Sequence, residues 1–181
     1  MKYNDTLTLK DGRKCLIRNG ELKDGKAALD NFILTHKQTD YLLTYPDENT
    51  FGEADEAEYL QKKADSENEI ELVAQIEGKI VGLAGIDAIG GAYKLKHRAQ
   101  FGVSVDKDYW GQGIGRALTR ACISCAREAG YTQIELDVVS DNKAAVSLYK
   151  SEGFKEYGRN KRGFRTRSGE YKELILMLIE L

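Results

Sequence analysis

One proline, one tryptophan, two histidines and three cysteines are spread through 181 residues. An odd, small number of cysteines without framework spacing excludes a disulfide-stapled fold. No second cysteine pair or nearby histidine completes a zinc site, and no metal is expected. Cys122 and Cys125 do carry the C-x-x-C spacing of a redox pair. A redox pair, however, sits at a helix N-terminus, where the dipole lowers the thiol pKa, and these two fall mid-helix at the spacing of a buried stripe. They read as core. No apolar run approaches the roughly eighteen residues of a membrane span, and Met1 to Thr6 lacks the apolar region of a signal peptide. A net charge of −2 gives no pull toward nucleic acid or anionic membrane. The expectation is a cytoplasmic chain, and its length suits one domain over residues 1–181.

What the chain does have is glycine in a telling place. Gly111, Gly113 and Gly115 alternate within Trp110-Gly111-Gln112-Gly113-Ile114-Gly115-Arg116-Ala117. An apolar strand-like run, Phe101 to Val105, precedes them, and a helix-like run from Arg116 to Ala129 follows. Side-chain-free backbone at a helix start presents unpaired N–H donors and the positive end of the helix dipole, which together favour phosphate. A P-loop would need Gly-Lys-Ser/Thr here, and Gly115 is followed by Arg116-Ala117. A dinucleotide fingerprint would need a small residue at Arg116 and a repeated parallel βαβ pattern.

That pattern is missing from the first half. A hairpin is expected over Thr6 to Ile17 around Asp11-Gly12, then helices over Lys23 to Lys37 and Glu53 to Ser66, separated by a loop from Thr44 to Gly52. Strands follow over Glu71 to Ile76 and Lys79 to Ile86, joined at Glu77-Gly78, and a third over Lys96 to Val105. After the glycine-led helix, ended by Gly130, come a strand over Gln133 to Val139 and a short helix over Asn142 to Glu152. Two last strands, Phe154 to Arg159 and Tyr171 to Ile179, flank a basic, glycine-containing loop. The class is α/β (α+β): a mixed, mostly antiparallel sheet in which the strands at Phe101 and Ile134 are parallel neighbours.

The segment Val105 to Gly115 resembles the acetyl-CoA motif of the GNAT family of N-acyltransferases. About thirty residues on, Asn142-Lys143-Ala144-Ala145-Val146-Ser147-Leu148-Tyr149-Lys150-Ser151-Glu152-Gly153-Phe154 resembles that family's second motif, N-x-x-A-x-x-L-Y-x-x-x-G-F. The family's loop usually begins with Arg or Gln where this chain has Trp110, which can pack against the ligand or a helix but offers it no guanidinium.

The resemblance implies a GNAT-like sheet whose central parallel pair splays apart to admit the pantetheine arm of acetyl-CoA as an extra strand. Val103, Ser104 and Val105 would line that gap, with backbone groups of Val103 and Val105 pairing with the arm. Pyrophosphate would sit on the amides of Gly111, Gln112, Gly113, Ile114, Gly115 and Arg116, beside Trp110, with Asn142 and Ala145 on the facing helix. The implied reaction is direct attack of an amine on the thioester in a ternary complex. Tyr149 occupies the family position of the acid that protonates the leaving thiolate. The base stays open among His97, Glu135, Asp137 and water; Gln100 has no useful basicity, and Asp137 lies nearer the cleft by strand position. The acceptor is expected to be a primary amine on a small or amino-acid-like molecule or a protein, and a homodimer is left open. The rival function is a non-catalytic acyl-CoA sensor of the same fold. An acidic rim (Asp47, Glu48, Glu53, Asp55, Glu56, Glu58, with Tyr45) faces a basic side with Arg159, Lys161, Arg162, Arg165 and Arg167.

Overall fold

A computed structural model describes residues 1–181. Strands β1 (Asn4–Thr8) and β2 (Lys14–Asn19) form the expected first hairpin. Helices α1 (Gly25–Gln38) and α2 (Glu53–Asp65) come next, then β3 (Ile70–Ile76), β4 (Lys79–Ala88) and β5 (Arg98–Val105). The β3–β4 turn uses φ of 49° at Glu77 and 85° at Gly78, a pair of positive values whose twist matches that of antiparallel strands. Helix α3 (Ile114–Glu128), β6 (Gln133–Val139), α4 (Lys143–Ser151), β7 (Lys155–Arg165) and β8 (Tyr171–Glu180) complete the chain.

The eight strands form one sheet in the order β1-β2-β3-β4-β5-β6-β8-β7. Every neighbouring pair is antiparallel except β5–β6. Apolar residues alternate along the strands and cover both faces. On one face α1 and α2 bring Ala28 and Leu60 onto Val73, Ile80 and Leu83. On the other, Ile114, Leu118, Cys122 and Cys125 of α3 join Leu72, Ala84, Phe101 and Leu136 in the main core. Both cysteines are free and buried, as is Cys15, and burial pushes the Cys125 thiol up to about 11.

The parallel pair is short. Register exists only at Arg98↔Gln133, Ala99↔Ile134 and Gln100↔Glu135, after which β5 pairs with β4 alone and β6 with β8 alone. A bidentate ion pair from Arg98 to Glu135, at 2.5 and 2.8 Å, pins the paired end. Residues 101–105 and 136–139 therefore bound an open wedge in the middle of the sheet.

One expectation is corrected. The basic stretch after Arg159 is strand, since β7 runs on to Arg165 through two register shifts, and the turn falls at Thr166–Glu170. Gly163 signals close approach in place of a turn, because a Cβ there would lie 2.5 Å from Leu174 Cδ1.

Candidate active site

Strand β5 aims alternate backbone groups at its two neighbours. Arg98 O accepts from Ile89 N (3.3 Å) and Asp106 N donates to Val81 O (2.8 Å), so even-numbered residues face β4. His97 O accepts from Thr132 N (3.0 Å), so odd-numbered residues face β6. Past Gln100 there is no β6 partner, and the amides and carbonyls of Phe101, Val103 and Val105 look into the wedge.

The wedge opens into a cavity of about 610 Å³. Its walls bring together Val103, Ser104, Val105, Trp110, the loop from Gly111 to Arg116, Asn142, Ala145 and Tyr149. All the residues the sequence assigns to a cofactor thus share one cleft. The α1 end of the cleft adds Thr35, Thr39, Tyr41 and Leu42.

The glycine loop leaves its donors free. Trp110 N donates to Lys107 O (3.1 Å) and Ala117 N to Gly113 O (3.0 Å); between them, the amides of residues 111–116 find no protein acceptor. Gly111 and Gly113 have φ of 74° and 90°, and a Cβ on either would meet nothing within 4 Å. A run of unpaired N–H groups at the start of a fifteen-residue helix fits an anion. The Arg116 guanidinium stands beside it, 3.5 Å from Glu152 at the end of α4.

Trp110 has a role that was not foreseen. Its Nε1 donates to Val105 O at 2.7 Å, so of the two residues expected to pair with a ligand Val105 has its carbonyl already taken, and that of Val103 stays free. Behind the loop, Asp106 is fully buried and accepts from Gln38 Nε2 (2.9 Å), Lys79 Nζ (2.9 Å) and Asp108 N (3.3 Å). Sequence reading passed over Asp106; its spacing to Asp108, that of an Asp-capped turn, was the available signal.

Asn142 caps α4, its Oδ1 accepting from Ala145 N at 3.2 Å, while lining the cleft. Tyr149 sits edge-on to Phe101, with ring centroids 6.1 Å apart and an interplanar angle of 89°. Burial raises its phenol above the usual tyrosine value, so the proton is held at neutral pH.

The Acetyltransferase (GNAT) family model matches residues 37–154. This chain belongs to the GNAT acetyltransferase family. Among its relatives, the L-amino acid N-acetyltransferase AaaT of Escherichia coli (strain K12) is 35% identical over 120 residues, 66% of this chain and 73% of that one. Human N-acetyltransferase 8B is 38% identical over 89 residues, 49% of this chain. That match spans only 39% of the human protein's length. A GNAT-family acetyltransferase structure from Streptococcus pneumoniae superimposes with a TM-score of 0.88 at 29% identity, covering 92% of this chain and 99% of that one.

In this GNAT chain two of the remaining candidates, Glu135 and Asp137, lie on the sheet face opposite the α3 core. Asp137 does not line the 610 Å³ cleft. Its surface is exposed overall, while partial desolvation of the carboxyl against the sheet, with the neighbouring Glu135, raises its pKa. Glu135 is engaged with Arg98 and Gln133, which lower its pKa against the effect of burial; it is not a free base. His97 lies in the turn just before the paired end of β5, six residues or about 20 Å from Val103 at strand rise, and is exposed. It is too far to serve. Glu56, read as part of the acidic rim, is instead buried. The rim and the basic side are tied together, Arg167 reaching Asp47 at 2.8 Å and donating its N–H to Tyr45 Oη at 3.1 Å. Sequence reading also missed Glu71 on β3, whose carboxyl lies under α2 beside Tyr59.

Proposed function

We propose that the chain transfers the acetyl group of acetyl-CoA to the primary amine of a small, amino-acid-like acceptor. The observation that carries this reading is the run of partnerless amides over residues 111–116 in the same cleft as Tyr149 and the open edge of β5. The pyrophosphate would rest on those amides, and the pantetheine would extend along Val103. The acceptor would enter from the α1–α2 side. A second cavity of about 190 Å³ between the Thr39–Tyr45 segment and Gly163–Thr166 includes Arg165, a partner for an acceptor carboxylate. The L-amino acid relative supports the same class.

Chemically, the amine lone pair attacks the thioester carbonyl carbon and a C–N bond forms as the π pair moves to oxygen. The Val103 N–H would stabilise that oxyanion. Collapse breaks the C–S bond, Tyr149 Oη–H protonates the departing sulfur, and the phenolate recovers a proton from the amide nitrogen. We read the whole chain as one such domain, because the sheet runs unbroken from β1 to β7. No helix is long and apolar enough to cross a membrane, and we place the protein in the cytoplasm.

Thiol release from acetyl-CoA across a panel of amino acids, polyamines and peptide N-termini tests the activity. Trp110, the single tryptophan, is half-exposed in the cleft and reports binding by its emission. Turnover on amino acids with a change in Trp110 emission is expected. Binding without turnover on any amine would favour the sensor, and no binding would remove the proposal.

The glycines give a second test. Gly113→Ala must hold a side chain at a φ of 90° and is expected to lose about 1–2 kcal/mol of stability. Gly115 has ordinary helical space, its Cβ position 3.7 Å from Leu148 Cδ2 and 3.9 Å from Val105 Cγ2. Gly115→Ala is therefore expected to keep the melting temperature while raising the KM for acetyl-CoA, since the new methyl stands in the wedge. Equal thermal losses in both variants would contradict the distinction.

A further inference from the structure

We propose that Glu71 is the group that takes the proton from the acceptor ammonium, across a trough made by Gly85 and Gly102. The inference rests on the transfer reaction above and assigns the base that reaction needs. Register places Glu71 beside Gly85 and Gly85 beside Gly102, in one row across β3, β4 and β5. Residues of one row share a face, here the face under α2. The Glu71 side chain lies over Gly85: a Cβ there would overlap Glu71 Oε2 and stand 3.2 Å from Glu71 Cδ. A side chain at position 85 would displace the carboxylate from this place. At Gly102 a Cβ would meet nothing within 4 Å, so the space over that residue is open. The next strand lies only about 5 Å away. An amine poised over Gly102, beside the Val103 amide, is within reach of the carboxylate directly or through one water.

The surroundings leave Glu71 available. From α2 it is faced by Glu56, Tyr59 and Lys63, from β4 by Asp87 and, beyond the sheet, by Cys122 of α3. Lys63 is already held by Asp87 and by Glu69 at 2.9 Å. The one hydrogen bond to the Glu71 carboxylate is from Tyr59 Oη, long at 3.5 Å. Burial, with Asp87 and Glu56 adding to it, pushes the Glu71 carboxyl up to about 8, close to the value of an α-amine, about 8. A base matched to its substrate can take the proton and return it to solvent. Proton balance is then complete: one proton leaves the ammonium for Glu71 before attack, the second leaves the amide nitrogen and replaces the one Tyr149 gives to sulfur.

Glu71→Gln, similar in shape and without basicity, is the test, read with two acceptors at pH 7. One is an ordinary aliphatic amine, which arrives as ammonium. The other is a weakly basic amine already neutral at that pH. Loss of kcat by about 100-fold with the first, and a far smaller loss with the second, is expected, with the Trp110 response to acetyl-CoA retained. Equal losses with both acceptors, or none with the first, would overturn the assignment. Should Glu71→Gln fail to bind acetyl-CoA, Glu71→Asp gives the same comparison with a carboxylate set back by one methylene. It is expected to retain turnover of the aliphatic amine above any Glu71→Gln level while slowing it relative to wild type. A wild-type kcat for the aliphatic amine matched by Glu71→Asp, with the pH profile unmoved, would also overturn it. Absence of turnover by wild type with every amine would instead sink the transfer reaction itself.

Discussion

Replacing Tyr149 by phenylalanine is expected to lower kcat by about 100- to 1000-fold and to leave the KM for acetyl-CoA within about twofold. The ring would survive the change. Its edge-on contact with Phe101 and its packing on Phe154, at 5.8 Å between centroids, need only the carbon framework, so the cleft wall keeps its shape. What would be lost is the proton donor that the proposed mechanism sets beside the departing thiolate. Burial raises the Tyr149 phenol above its ordinary value, so the neutral, donating form persists past pH 10, the usual value being about 10. No fall in kcat on the alkaline side below that pH should therefore come from this residue. Steady-state kinetics from pH 6 to 10 on both proteins check the claim. A Tyr149→Phe enzyme with wild-type kcat, or one changed only in KM, would return Tyr149 to the role of a core aromatic. An alkaline limb near pH 8 in wild type that vanishes in the variant would show a phenol lowered by its surroundings, opposite to the effect of burial.

How far such residues can be seen in advance depends on whether the signal is local. The glycine loop, the Asn142 cap and Tyr149 sit in short contiguous stretches whose chemistry needs those residue types in that order, and they fall on one cleft. The strand pairs at Asp11-Gly12 and Glu77-Gly78 were legible for the same reason, since two turn residues fix a hairpin. The position of β8 between β6 and β7 was not, because no local pattern tells which edge a final strand joins. Gly163 misled: it lies inside β7, against Leu174. Glycine there relieves packing, and a sequence does not separate that use from a turn. Glu71 was hidden more deeply. It is a polar residue in an alternating strand, which ordinarily marks a solvated face, yet here α2 covers that face. Only the register that sets Gly85 beside it, and Gly102 one strand further on, connects an unremarked glutamate with the proposed place of the amine. Two of the other base candidates are set aside for a related reason: distance along the chain separates His97 from the wedge, and an ion partner invisible in the linear pattern occupies Glu135; Asp137, on β6, lies outside the cleft lining.

Asp106→Ala is expected to lower stability by about 3 kcal/mol and the melting temperature by about 10 °C, and to raise the KM for acetyl-CoA as well. Asp106 is the first residue beyond β5 and is fully buried. Alanine would leave the amide of Gln38 without its acceptor, and the short helical turn at Lys107–Tyr109 would lose its cap at Asp108 N. Gln38 would still accept from Lys107 N at 2.8 Å, so the clamp between α1 and the loop is weakened and not abolished. Lys79 contributes less than its 2.9 Å distance suggests, because its side chain is half-exposed and screened. The sign of the pH dependence follows from the carboxyl. Burial alone would raise it, but Gln38, Lys79 and the Asp108 amide outweigh burial and hold it below the usual aspartate value. A folded-state pKa below the unfolded one contributes stability that is present in full above the unfolded value, about 4, and is lost as pH falls through the folded value. The difference in stability between wild type and Asp106→Ala should then stay constant from pH 8 to 5 and narrow in more acid solution. Denaturant titrations at pH 7 and at acid pH measure it. A gap that widens with acid would mean the carboxyl is raised in the fold. A variant that melts within about 2 °C of wild type would mean the loop is held by its backbone bonds alone, Asp106 N to Val81 O and Tyr109 N to Asp106 O. In the expected case the link to function is mechanical. The same carboxylate that stabilises the fold anchors the turn leading into Trp110, whose indole fixes the end of β5, so loosening it should disorder the amides of residues 111–116 before it unfolds the sheet.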